Sequence, residues 1–332
     1  MLANNNEAII NKLAKNSVKT NKKQYAILFF TIILSAFMLF CVFTIGMTYL
    51  NSSRLQNTRL NGAEYDIVTM NGFTSEQLNT LQQNENIRSV GIESYAGFIQ
   101  STEYDKTVEI GLLWCDEVFW DNLMSPARTK LDGHYPQNKN ELMVTKDILK
   151  TCGNENLSVG DSLILTYENN TGVYTDEFVI SGIWDGYGDT SAGFVSKAFY
   201  DETGYDLKNN GILCIKLNCN YVFPTTIQSI EKSLDFSDRQ IFAPTGYIEN
   251  SFKLLLGICG LALVICLSAY LLIYNILYLS VSGKIRYYGL LQSLGMTKKQ
   301  LVRFIIKQMI LVGILGIFIG NLLGIILCMK LV

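Results

Sequence analysis

Three windows of this chain contain no charged residue: Gln24 to Ser53 (30 residues), Leu254 to Gly283 (30 residues) and Gln308 to Met329 (22 residues). A helix needs roughly 20 residues to cross about 30 Å of hydrocarbon, and in lipid only a helix or a closed barrel satisfies its own backbone groups. Each window is long enough. The averages do not decide the class, because 49% hydrophobic and 17% charged residues would also suit a water-soluble protein. The first window follows lysines, as a secretory signal does, but Tyr25 to Leu50 outruns the core of about 7–15 apolar residues that such a signal carries. It reads as a retained signal anchor. Transmembrane helices are expected at 25–50, 253–282 and 307–330.

Charge orients these spans. Lys12, Lys15, Lys19, Lys22 and Lys23 precede the first, opposed by Glu7 alone. Lys284, Arg286, Lys298, Lys299, Arg303 and Lys307 lie between the second and third, with no acid among them. Basic residues in short segments beside spans stay in the cytoplasm. Residues 1–24 therefore read as a cytoplasmic amphipathic segment, 283–306 as a cytoplasmic helix and loop, and 51–252 as an extracytoplasmic domain of a multi-pass cell-membrane protein. Arg54 to Lys253 holds 15 basic residues and 28 of the chain's 29 acidic ones, a net −13. The lipid bilayer is an expected partner; nucleic acid is not.

The domain between the first two spans has a mixed pattern. Glu64 to Met70 alternates as a strand, and the following "TSEQLNTLQQ" opens with a helix cap. "SVGIESYAGFIQ" and "KTVEIGLLWC" read as strands, and "NELMVTKDILKTCG" as a strand running into a helix stopped by Gly153. "VGDSLILTYEN" and "YTDEFVISGIWD" form a hairpin about Asn169, Asn170 and Gly172; "GILCIKLN" is a last strand before a helix begun by Pro224. The expected fold class is a membrane protein: three α-helical transmembrane segments and an α+β extracytoplasmic domain, of two subdomains, inserted between the first and second.

Little chemistry is written into that domain. Asp185 and Asp189 in "WDGYGDTSAG" lack the alternating oxygens and terminal Glu of an EF-hand, so a turn is expected. There is one histidine, His134, no Gly-x-Ser-x-Gly elbow and no GxxxxGK loop. No catalytic residue, metal site or bound cofactor is expected of this chain. Cys41, Cys259, Cys266 and Cys328 fall in the spans; Cys115, Cys152, Cys214 and Cys219 fall in the domain, where an oxidising compartment would allow disulfides.

The most informative stretch runs from Tyr274 to Gln308. Lys284 and Arg286 follow the second span; then Tyr288, Leu290, Leu291 and Leu294 recur at helical spacing until Gly295, and Thr297 can cap the next helix. Lys298, Lys299 and Arg303 keep the start of that helix wet. Such a basic amphipathic helix holds anionic headgroups or offers its apolar side to a partner's groove.

"LLQSLGMTKKQL" (Leu290 to Leu301), preceded by "YNILYLSVSGKIRYYG" with Asn275 in the inner part of the second span, resembles the signature of FtsX-like ABC transporter permeases. "LAKNSVKTNKKQYAILFFTIILSAF" is similar to the start of that family. In the domain, "DGHYPQNKNELMVTKDILK", then "LSVGDSLIL" and "FVSKAFYDE", resemble a MacB-type periplasmic core through Gly133, Pro136, Asn140, Glu141, Val159, Gly160 and Asp161. The family carries acids near Gly283 and Tyr287 that this chain lacks, and a fourth span, whereas this chain stops at Val332; a fragment, or the first half of a longer permease, is expected, with 251–332 as a truncated permease domain.

The resemblance implies a membrane permease subunit with no ATPase activity of its own. ATP and Mg would bind a separate cytoplasmic ABC ATPase, whose motion passes through Lys284, Arg286, Tyr288, Gly289, Leu290, Leu291, Leu294, Gly295, Lys298 and Lys299 to the outer domain. A second permease copy, or a homologous half, completes the assembly. The result would be mechanotransmission or export of peptide- or lipoprotein-type substrates. The other reading is a membrane-anchored sensor without transport activity.

Overall fold

The computed structural model describes residues 7–100, 110–187 and 192–331. They form two compact units: the residues up to Tyr49 with those from Leu255 onward, and Leu50–Leu254. In chain order the elements are α1 (Glu7–Thr20), α2 (Lys22–Asn61), β1 (Ile67–Met70), α3 (Ser75–Gln82), β2 (Ile87–Ile99), β3 (Ile110–Cys115), β4 (Arg128–Gly133), β5 (Glu141–Thr145) and α4 (Lys146–Thr151). Then follow β6 (Ser162–Asn169), β7 (Gly172–Gly186), β8 (Ala192–Val195), α5 (Lys197–Tyr200), α6 (Leu207–Asn210), β9 (Gly211–Leu217), α7 (Pro224–Ser233), β10 (Ile241–Pro244), α8 (Gly246–Ser282), α9 (Ile285–Ser293) and α10 (Lys298–Leu331).

In the helical unit α2, α8 and α10 are long and apolar enough to cross a membrane. They turn large apolar side chains outward: Phe30 is 68% and Phe318 67% exposed, an outer surface suited to hydrocarbon. Tyr25, Leu28 and Ile32 of α2 close on Val312 of α10, and the Tyr25 hydroxyl donates to Gln308 Oε1 at 2.5 Å. The polar stretch Asn51–Arg54 is helical too, because α2 continues without a break to Asn61.

The outer unit is built on one ten-stranded sheet in the order β10-β1-β9-β2-β3-β8-β5-β7-β4, with β6 bridging β2 and β7. This replaces the expected two subdomains: β2 is long enough to pair with β3, β6 and β9. The β3–β8 and β5–β7 pairs are parallel. One face packs Ile92, Leu112, Trp114 and Leu142 under the helices; the other packs Val68, Phe119, Trp184 and Phe194. The expected hairpin is present, with Asn169 opposite Gly172. Lys106–Glu109 of an expected strand, and Asp189, lie outside the described residues. All eight cysteines are free thiols; Cys115, Cys152 and Cys214 are buried and Cys219 exposed, so no bridge joins them.

The strands that adjoin the membrane helices are neighbours at one sheet edge. β1, which follows α2, pairs antiparallel with β10, which leads into α8, with Val68 opposite Ala243. Lys216 on adjacent β9 is 5% exposed and reaches Glu64 at 3.1 Å and Asp66 at 3.2 Å. Asp66 also accepts from the Leu217 amide at 2.9 Å, while its own carbonyl accepts from the Thr245 amide at 2.8 Å. Desolvation raises the Asp66 carboxyl from its ordinary value, against the opposing pull of Lys216 and the Leu217 amide. One buried ionic knot therefore ties the residues just after α2 to those just before α8.

Candidate functional site

The turn between α8 and α10 is shaped by backbone needs first. Helix α9 ends in a Schellman motif: the Met296 amide donates to Leu291 O and the Gly295 amide to Gln292 O, with Gly295 at φ 97°. A capping box then starts α10, Thr297 Oγ1 accepting from the Gln300 amide while Gln300 Oε1 accepts from the Thr297 amide. Both stop and start were legible in Gly295 and Thr297.

Helix α9 has two apolar sides. Tyr288, 8% exposed, and Leu291 pack with Ile10 and Ala14 of α1 and Phe304 of α10. Leu290 and Leu294 point the other way, 59% and 77% exposed. At about 100° per residue they sit roughly 200° and 240° from Tyr288, so the four residues form no single stripe. Gly289, Arg286, Lys298 and Lys299 are exposed around the outer side. Lys284 is different: its Nζ is buried, has no hydrogen-bond partner among the described residues, and lies 5.5 Å from the centre of the Tyr25 ring. Desolvation lowers its pKa. Among the site residues, Tyr288 and Leu291 are thus internal, Lys284 is half-buried against α2, and Leu290 and Leu294 form an open apolar pair rimmed by basic groups.

Packing of α10 on α2 uses a motif that charge-free windows conceal. Gly316, Gly320 and Gly324 recur every four residues, and a Cβ on Gly320 would sit 2.6 Å from Ile33 O, one on Gly324 2.5 Å from the Phe40 ring. Small residues at this spacing let helix backbones approach in lipid. Cys41 and Cys328 are neighbours across the same seam. Gly320→Leu is expected to cost about 1–3 kcal/mol of overpacking and to lower the oxidative Cys41–Cys328 cross-link yield read by mass spectrometry; an unchanged yield would contradict the seam. Asn275 is exposed on α8, a polar group on a surface that otherwise suits lipid.

The outer motif residues are structural, and they converge on three consecutive residues of β7. The Asn140 carbonyl accepts from the Val179 amide, Asp161 O from the Ile180 amide, and Ile180 O from the Gly160 amide, while Ser181 O accepts from the His134 amide. Gly133, at φ 87°, would place a Cβ 2.2 Å from Ser181 O. The Asp161 carboxylate accepts from the Ser158 amide beside partly exposed Val159, and Pro136 is buried. Burial tends to raise the Glu141 carboxyl, but donors from Gln137 and Asn138 outweigh it and hold the group low. These residues build turns beside β7.

The family described as FtsX-like permease C-terminal matches residues 259–331, which contain α9, α10 and most of α8. Among solved structures, the chain is similar to the periplasmic region of MacB from Actinobacillus actinomycetemcomitans (13% identity, 58% of this chain, 95% of that chain, TM-score 0.39). It is similar also to a domain of a putative permease protein from Porphyromonas gingivalis (9% identity, 55% of this chain, 89% of that one, TM-score 0.34). A third is the extracellular domain of the noncanonic ABC-type transporter YknZ from Gram-positive bacteria (12% identity, 54% and 98%, TM-score 0.35). No curated protein matches the chain.

Proposed function

We propose that this chain, whose residues 259–331 match the FtsX-like permease C-terminal family, is the membrane subunit of an ABC transporter and works with an ATPase on a separate polypeptide. Helix α9 is the contact through which the ATPase acts. The observation that carries this reading is the open pair Leu290 and Leu294, apolar and exposed on a helix whose opposite side is fixed to α1 and α10. A helix of this kind, anchored on one side, suits a groove in a partner.

In this reading α1 and α9 lie in the cytoplasm and the acidic unit Leu50–Leu254 outside, which the basic residues beside the spans support. Motion at α9 is passed on by helices without breaks: α2 runs from Lys22 to Asn61 and α8 from Gly246 to Ser282. Both adjoin strands at one edge of the outer sheet, β1 and β10, so a shift of either helix loads the same two strands. Force transmission to the outer unit, on a peptide- or lipoprotein-type cargo, is the function this arrangement serves. A second copy or homologous half would pair with the exposed face that includes Asn275.

Purification of the tagged chain from its native membranes, followed by mass spectrometry, tests the reading. An ABC ATPase is expected at near-stoichiometric yield. Recovery of the intact chain with no ATPase, under detergents that preserve other ABC assemblies, would contradict it.

A further inference from the structure

The outer unit holds a carboxyl group that its own fold does not explain. Glu93 lies in the middle of β2, with Cys115 of β3 on one side and Ile212 of β9 on the other. It points to the sheet face that buries Cys115, Phe119 and Cys214. No hydrogen bond or ion pair to Glu93 is made among the described residues. A carboxylate on such a face costs several kcal/mol when left alone, so groups of this kind are paired, protonated or used.

Glu93 opens into a pocket of about 400 Å³ whose walls include Leu113, Phe119, Trp184 and Phe194. Trp184 is 3% exposed, and its indole N–H has no partner among the described residues. Arg59 lies at the same pocket but is exposed and rests over the Tyr187 ring, 4.2 Å from its centre, without an ion pair to Glu93. Among the described residues the pocket thus combines aromatic faces, which attract cations, with one uncompensated acid.

We propose that this pocket binds an organic cation, an ammonium carried on an apolar stem, with Glu93 as its counter-charge and the aromatic walls around the stem. The stem replaces water against Leu113 and Phe194, and the ammonium supplies the donors that Glu93 lacks. Burial pushes Glu93 up to about 7, so the carboxyl is partly protonated near neutrality and binding of a cation draws out its proton. The charge of Glu93 acts on Tyr65, Tyr135, Cys115 and Cys214; burial raises all four, which leaves them neutral between pH 6 and 8. Binding is therefore weaker at pH 6 than at pH 8, and the slope belongs to Glu93.

The inference rests on the outer unit alone, so it stands or falls separately from the ATPase contact at α9. The full chain in phosphatidylcholine nanodiscs is titrated with n-butylammonium and with n-butanol, its neutral counterpart, by ligand-observed NMR. At pH 8 the wild type is expected to prefer butylammonium by about tenfold or more, the size of a partly desolvated charge contact. Glu93→Gln should abolish the preference and its pH slope; Glu93→Asp, which keeps the charge, should retain most of it. The folded state disfavours the ionised form of Glu93, so E93Q is expected to melt no lower than the wild type at pH 8. Capped lysine against its Nε-acetylated form tells whether a peptide side chain serves as well as a free amine. Equal binding of amine and alcohol by the wild type, a preference that survives E93Q, or no binding of the amine would each overturn the proposal.

Discussion

Leu290→Asp combined with Leu294→Asp is expected to reduce ATPase co-purification by about 100-fold or more while the chain stays folded. Two exposed leucines at the centre of a partner's groove are each worth about 2 kcal/mol or more, and a carboxylate in their place adds the cost of burying a charge. The fold is spared because neither side chain touches the internal cluster of Ile10, Ala14, Tyr288 and Phe304. Leu291→Asp is a poor substitute for this test. Leu291 packs on that cluster, and its loss would detach α9 from α1 and α10 before any partner arrived. Wild-type recovery of the ATPase by the double variant would remove α9 as the contact.

Lys216→Met is expected to destabilise the outer unit by about 3–5 kcal/mol, because it leaves Asp66 buried without its cation. Among the described residues the Asp66 carboxylate keeps only the Leu217 amide, and Glu64 loses its 3.1 Å partner. The damage falls where β1 and β10 meet, the edge that the proposed function loads. Urea unfolding followed by tryptophan fluorescence reports the outer unit, since Trp114, Trp120 and Trp184 all lie within it. Asp66→Asn combined with Lys216→Met should recover part of the loss by removing the stranded charge. A single variant as stable as the wild type would show that the knot is not structural.

The membrane helices were legible because a charge inside hydrocarbon is costly enough to be excluded over 20 residues or more. Helix ends at Gly295 and Thr297 were legible because caps depend on local atoms only. The faces of α9 were not: an i, i+3 and i+4 pattern marks apolar residues without saying that Tyr288 and Leu290 point apart, one to the α1–α10 cluster and one outward. The glycines of α10 were concealed by their apolarity, since a search for charge-free windows treats Gly320 and Leu322 alike. Their four-residue repeat was nevertheless there to be read. Strand pairing was the least legible part. β6 joins β2 and β7 into one sheet through contacts far apart in sequence, and periodicity within a strand is silent about its neighbours. Glu93 was hidden for the same reason: in "SVGIESYAGFIQ" it occupies what looks like a solvent-facing position, yet β2 is central and covered on both faces.

The reading depends most on α9 and the outer sheet lying on opposite sides of the bilayer. Single-cysteine variants in a background otherwise free of cysteine measure this directly, one keeping the exposed native Cys219 and one carrying Lys298→Cys. With intact cells and a membrane-impermeant maleimide, Cys219 should label and the thiol at position 298 should react only after lysis. Labelling of position 298 in intact cells, with Cys219 silent until lysis, would invert the topology and contradict the account.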